Sequence, residues 1–318
     1  MTEWLILILL ALGFLFAIGL NLVFFVTRAR KKKLFSAYGR GSFFEYSWAH
    51  VPIENDLKTH LPVHYRLEGP KNKPLVILVH GLGANLNCWR RVFPLLKDHF
   101  QVLAFDLPGF GLTPDPEHFF AKQPEKVTQL LVDLLGRLKI KKPAHLIGNS
   151  LGGLLSLVLM ERFPSSFDRA ILINPALSRK LVRLPIYKFA YLAGPIANLL
   201  NRATLSWLYS RTLSKPKDLE PEVLDHLALN YLKNPDGIIS FAHYVRIIEE
   251  QGIPEVDYSK CVFLFSGGDR VVTAPHQKRI HRFFPDAKII FHPSGGHQLQ
   301  EDEPQWLSEQ VTEFFLSS

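Results

Sequence analysis

The sequence predicts an α/β protein: a mostly parallel central sheet with helices on both faces, a helical insertion, and an N-terminal transmembrane helix. Three observations predict it. Short, nearly continuous apolar runs alternate with segments of helical spacing, the pattern of strands buried on both faces. Residues able to do chemistry follow several of these runs, where the strands of such a sheet end. One interval between two runs is too long for a plain loop and is itself helical in pattern. The chain has 318 residues, which suits one large domain with an insertion or two small ones. Nearly half are apolar, so a sizeable core is possible.

The first element is "WLILILLALGFLFAIGLNLVFFV", Trp4 to Val26, in which Asn21 is the only strongly polar residue. As a helix it would span roughly 35 Å, enough for a bilayer core of about 30 Å. A cleaved signal peptide fits less well, because the stretch is long, its positive charges follow it, and no small-x-small site comes after. A soluble helix is rarely apolar on every face. Residues 1–27 are therefore expected to be a single-pass anchor, followed by a basic linker at 28–42. Arg28, Arg30, Lys31, Lys32 and Lys33 place the following body on the cytoplasmic face by the positive-inside rule. The net charge of +8 is concentrated in this cluster, so it gives little support to nucleic-acid binding.

The body, 43–318, follows in order. "PVHYRLEG" and "LVILVHG" read as strands, "NCWRRVFPLLKDHF" as an amphipathic helix, and "QVLAFDLPG" as a strand and turn. "PEKVTQLLVDLLGRL" has its apolar residues at helical spacing. "AHLIG" is a strand, and "LLSLVLMERF" a helix just beyond Ser150. "RAILINPA", "CVFLFSGGD" and "KIIFHPSGGH" are strands with their turns, and "PQWLSEQVTEFFLS" is a closing helix. Between Leu177 and Lys260 the pattern is helical, predicting a cap at about residues 177–256. Its first half interleaves large apolar residues with cations, which suits either a membrane interface or ordinary packing on the core. Cys88 and Cys261 have neither metal-ligand spacing nor the number for a disulfide framework, so buried free thiols are expected. The histidines are scattered without ligand spacing; no metal and no cofactor is expected.

The chemistry-bearing loops are "HGLGAN" at His80 to Asn85, Gly148-Asn149-Ser150-Leu151-Gly152, Asp269 closing "FSGGD", and His297 in "PSGGHQLQEDEP". A serine at a strand-to-helix corner is either a turn residue or a nucleophile held up on a sharp bend. G-x-S-x-G alone is a weak signal. Joined by His80-Gly81, "DLPGFG", "GGD" and Gly296-His297, in the chain order Ser, Asp, His, it is strong. From about Phe43 to Ser318 the chain resembles serine hydrolases of the α/β-hydrolase superfamily. With its anchor it is similar to the single-pass membrane monoacylglycerol lipases of that superfamily.

The resemblance implies Ser150 as nucleophile, His297 as general base and Asp269 as the carboxylate that orients it. The oxyanion hole would be the backbone N–H groups of Leu82 and Leu151. His80, Gly81, Asn149 and Trp89 are candidates for the pocket, although Trp89 also suits core packing. His292 lies inside a strand and reads as structural, and Asp106 in "DLPGFG" as a turn-stabilising carboxylate. The implied activity is hydrolysis of a lipid ester, such as a monoacylglycerol or lysophospholipid, through an acyl-enzyme. Hydrolysis of soluble esters or C–C bonds, and a non-catalytic or acyl-transfer role, remain open alternatives. The partners expected are the lipid ester and the membrane, the latter through the N-terminal helix and the cap.

The anchor reading predicts that the full chain stays in the membrane pellet through high-salt and carbonate washes. Protease added outside sealed cells should leave the body uncut; digestion from outside would reverse the orientation.

Overall fold

The computed structural model describes residues 47–53, 56–177, 202–215, 237–284 and 287–317. Eight strands form one sheet: β1 (Ser47–Ile53), β2 (Asp56–Glu68), β3 (Leu75–Val79), β4 (Gln101–Phe105), β5 (Ala144–Asn149), β6 (Phe167–Ile173), β7 (Cys261–Ser266) and β8 (Lys288–His292). Their order is β1-β2-β4-β3-β5-β6-β7-β8. From β4 across to β8 every pairing is parallel, while β1 with β2 and β2 with β4 are antiparallel.

The helices are α1 (Phe93–Leu96), α2 (Pro124–Arg137), α3 (Leu151–Arg162), α4 (Arg202–Ser210), α5 (Gly237–Glu250), α6 (Ala274–Phe283), α7 (Leu299–Asp302) and α8 (Pro304–Leu316). Successive strand residues point to opposite faces, so the apolar run "LVILV" of β3 feeds two cores at once. Leu75, Ile77 and Val79 join the core that includes Leu130 and Leu134 of α2 and Leu154 and Leu157 of α3. Val76 and Leu78 join Phe93 and Leu96 of α1 and Leu307 and Val311 of α8 on the other face. Both faces are covered, which is why these strands are continuous in their apolar content.

Two expectations change. "NCWRRVFPLLKDHF" is not one amphipathic helix but a 3₁₀ turn, Leu86–Trp89, and the single turn α1. Pro94 has no N–H to extend a helix through, and Asn85 caps the 3₁₀ turn by accepting from the Asn87 N–H at 3.0 Å. The Asp106 carboxylate takes the Leu86 N–H at 2.8 Å. The second change is at the start of the body, where "SWAHVPI" forms strand β1. It carries the weak alternation of a half-buried strand: Ala49 and Val51 are buried, Trp48 and His50 exposed. Of the expected cap, α4 and α5 are described and both are helical. Among the described residues no helix is long and apolar enough to cross a membrane, and the segment Trp4 to Val26 lies outside them.

Leu172 stands in β6, hydrogen-bonded between β5 and β7, and is fully buried. Leu172→Ala should cost about 2–5 kcal/mol of stability, read as a lower midpoint of chemical denaturation.

Candidate active site

The backbone at the serine corner is unusual. Ser150 has φ 55° and ψ −115°, outside the region an L-residue normally occupies. It joins the end of β5 directly to the start of α3. Its N–H donates to the Ile173 carbonyl at 2.9 Å, and its carbonyl accepts from Ala176 at 3.0 Å and Gly153 at 3.0 Å. The chain can turn this sharply because its neighbours are glycines. A Cβ at Gly148 would strike the Gly152 carbonyl, and one at Gly152 would strike the carbonyls of Val79 and His80.

Asp269 and His297 arrive from the ends of β7 and β8. Asp269 Oδ1 accepts the N–H groups of Val271 at 2.7 Å and Val272 at 2.9 Å. Its Oδ2 is left for the His297 ring, whose Nδ1 donates at 2.8 Å. That bond leaves Nε2 as the basic nitrogen of the neutral imidazole. Ser150, Asp269 and His297 are all buried. Among the described residues no hydrogen bond joins Ser150 Oγ to the ring; such contacts are often long without substrate and tighten when it binds.

The histidine is tied to the serine corner through the backbone. Asn149, one residue before Ser150, donates from Nδ2 to the His297 carbonyl at 2.9 Å and to the Ile173 carbonyl at 3.2 Å. Its Oδ1 accepts from Gln300 at 3.3 Å. Asn174, at the end of β6 with φ 43°, donates to the same His297 carbonyl at 3.1 Å and to Ser266 Oγ at 2.9 Å.

The loop after β3 reaches the same place. An ideal Cβ on Gly81 would lie 3.2 Å from Ser150 Cβ, so only a glycine passes there without displacing the serine. Leu82 follows it, and Leu151 opens α3. Among the described residues neither of their N–H groups has a hydrogen-bond acceptor. Two unclaimed donors beside a serine are what a developing oxyanion needs.

The pocket candidates separate. Gly81 lies against the serine, and Asn149 is a brace whose polar atoms are already occupied. His80 is fully buried: Nδ1 donates to the Gly81 carbonyl at 2.8 Å and Nε2 accepts from the Leu107 N–H at 2.9 Å. Burial pushes its pKa down, so the ring is a neutral strut that fixes the loop carrying Leu82. Trp89 is fully buried in the core between the sheet and α8, away from solvent. Asp106 accepts from His64 at 2.6 Å, from Leu86 at 2.8 Å and from Leu112 at 2.8 Å, and so organises the "DLPGFG" turn. His292 Nδ1 accepts from the Gly295 N–H at 3.0 Å, which occupies it in the turn before His297. Cys88 and Cys261 are free and buried, and burial raises both thiol pKa values, that of Cys261 to about 12. Among the described residues no cluster of three metal-ligating side chains occurs. The braces Asn174 and Gln300 were not singled out from the sequence. The Asn-Pro pair after "RAILI" was the available sign of a special backbone position.

Residues 76–310 match the family model described as "Alpha/beta hydrolase family". The chain belongs to the alpha/beta hydrolase family. It is 25% identical over 267 residues to the uncharacterized hydrolase YugF of Bacillus subtilis, covering 79% of this chain and 92% of that protein. It is 26% identical over 263 residues to the uncharacterized carboxylesterase nap of the same organism, covering 79% and 82%. The fold of this alpha/beta hydrolase is similar to that of the Bacillus subtilis carboxylesterase CesB, with a TM-score of 0.65 at 18% identity over 92% of this chain and 99% of that one.

Asn149→Ala removes the donor shared by His297 and Ile173. It should lower stability by about 1–3 kcal/mol and reduce kcat more than it raises KM, measured by denaturation and ester kinetics.

Proposed function

We propose that this alpha/beta hydrolase is a serine carboxylester hydrolase acting on lipid esters such as monoacylglycerols or lysophospholipids. The observation that carries the catalytic part is the Asp269–His297 hydrogen bond beside a serine held at positive φ. In the proposed cycle His297 Nε2 takes the hydroxyl proton as Ser150 Oγ attacks the acyl carbon. The carbonyl oxygen becomes an oxyanion and receives the N–H groups of Leu82 and Leu151. The C–O bond to the alcohol breaks, and His297 returns the proton to that leaving oxygen. Water, deprotonated by the same imidazole, then attacks the acyl-serine; the bond from the acyl carbon to Ser150 Oγ breaks, His297 returns the proton to that oxygen, and the acid leaves. Asp269 keeps the ring in the tautomer with the proton on Nδ1 and stabilises the imidazolium that forms in each half-reaction.

Two features support a lipid ester over a small soluble one. The apolar segment Trp4 to Val26 with its cationic flank would hold the domain at a bilayer surface. On α4, Trp207 and Leu208 are exposed, and the Arg211 guanidinium lies 4.5 Å from the Trp207 ring centre. An exposed aromatic–aliphatic pair beside a cation suits the headgroup boundary of a membrane. A long acyl chain could then leave the leaflet for the serine without crossing water.

In detergent, the full chain should react with a fluorophosphonate probe and hydrolyse medium- and long-chain monoacylglycerols faster than acetyl esters. Each buried methylene contributes about 0.8 kcal/mol. Ser150→Ala and His297→Ala should lower kcat by about a millionfold. Asp269→Asn should lower it by about ten-thousandfold, through loss of imidazole orientation. A Ser150→Ala protein that keeps esterase activity would sink the mechanism. A wild type that prefers acetyl esters, or cleaves C–C bonds in their place, would sink the lipid reading and leave the triad.

A further inference from the structure

The histidine loop is gripped from a direction the catalytic scheme does not use. The segment that leaves α4, from Tyr209 to Lys215, lies against the residues on both sides of His297. On the N-terminal side the grip is a carboxylate. Asp302 Oδ2 accepts the Gly296 N–H at 2.9 Å and the Ser214 N–H at 2.9 Å, and its Oδ1 accepts the Ser214 N–H at 3.1 Å and the Lys215 N–H at 3.4 Å. One buried carboxylate thus binds the loop and the segment together. An ideal Cβ on Gly296 would lie 2.6 Å from both Asp302 Oδ2 and the Ser214 nitrogen, so the three pack with no room for a side chain.

On the C-terminal side the grip is an amide. The Gln298 N–H donates to the Thr212 carbonyl at 3.3 Å. Gln298 Nε2 donates to Thr212 Oγ1 at 2.6 Å, and the Tyr209 hydroxyl donates to Gln298 Oε1 at 3.1 Å. His297 is therefore the middle residue of three whose flanking residues are both tied to Tyr209–Lys215, Gln298 directly and Gly296 through the Asp302 carboxylate. Its own carbonyl is held from below by Asn149 and Asn174, and its ring by Asp269. Without the latch, the two neighbouring peptides could rotate and carry the imidazole off the line to Ser150.

We propose that Tyr209–Lys215, latched through Asp302 and Gln298, is a positioning element that fixes His297 for proton transfer, so that seating of the segment after α4 sets catalytic competence. This rests on His297 being the general base. Asp302, Gln298, Thr212 and Tyr209 act through His297 and do not touch the reacting atoms. A carboxylate suits the first grip because its oxygens can accept several N–H groups at once, where an amide offers a single acceptor oxygen.

The test compares the full-length wild type with Asp302→Ala, Asp302→Asn and the double variant Tyr209→Phe/Thr212→Val. Three readings are taken: kcat and KM on p-nitrophenyl butyrate, the rate of fluorophosphonate labelling, and thermal melting. The double variant keeps the segment's bulk and the Thr212 carbonyl, so it tests the latch even if Asp302→Ala does not fold. The expected result is a kcat about tenfold lower in the double variant and on the order of a hundredfold lower in Asp302→Ala, with KM near wild type. Asp302→Asn should fall between, because one acceptor oxygen remains. Labelling should slow in the same ratio as kcat, since both need the imidazole. Unchanged kcat in folded variants, or a loss confined to KM, overturns the latch and makes the segment a pocket wall. A wild type that neither hydrolyses the ester nor takes the label overturns the serine-hydrolase reading itself.

Discussion

The constraint on which the rest of this structure depends is the backbone of Ser150. A non-glycine residue at φ 55° costs free energy, of order 1–3 kcal/mol, and persists only where its surroundings leave no alternative. Here they leave none. Its N–H is taken by β6, its carbonyl by Gly153 and Ala176, and the next residue begins a helix whose first ten residues are all buried. The turn sets the serine at the carboxyl end of β5, inside the sheet, and leaves the Leu151 N–H without an acceptor among the described residues. The proposed nucleophile and one proposed oxyanion donor are two consequences of one turn.

Around that turn the polar groups hold one another. Asn149 and Asn174 donate to backbone carbonyls and Gln300 donates to Asn149, while Asp269 divides its oxygens between a backbone turn and the imidazole. In a buried site each such bond is strong, so these groups hold one another as a rigid part. His80 is held by bonds of its own, to the Gly81 carbonyl and the Leu107 N–H. Its two nitrogens are both engaged and its charge is suppressed by burial, which makes it a spacer between β3 and the turn after β4.

The turn that carries His297 also joins the sheet's second face to the site. Arg90 pairs with Glu301, four residues beyond the histidine, and Arg91 donates to the Glu301 carbonyl at 2.6 Å. Glu301 is almost wholly buried, and that burial outweighs Arg90 and pushes its carboxyl pKa up to about 7. The short helical pieces after β3 thus do more than cover the sheet. They seat the loop that carries His297, and each begins at a fixed point: the Asp106 carboxylate takes the Leu86 N–H at the start of the 3₁₀ turn, and Pro94 lies in the first positions of α1.

The sequence by itself determined the class of fold and the chemistry of its loop ends. Apolar runs with helical segments between them leave few ways to bury both faces of a sheet, and Gly148 and Gly152 around Ser150 mark a corner no side chain could share. It was poorer wherever a residue's role depends on a partner distant in the chain. His80 and Trp89 stood near the site in sequence and suggested a pocket, yet one is a buried strut and the other is core. Strand β1 is faint in the sequence because an edge strand with one wet face carries few apolar residues. Asn174 gave only the backbone sign of its Asn-Pro pair, and the roles of Gln298 and Asp302 gave none, since an amide or carboxylate shows what it binds only when the acceptor or donor is brought to it. Only the tertiary structure set the 2.8 Å between Asp269 and His297 and placed Ser214 against Asp302 across 88 positions of chain. Hydrogen bonds act over a few ångströms of space, and the order of residues along a chain does not encode that space until the sheet has assembled.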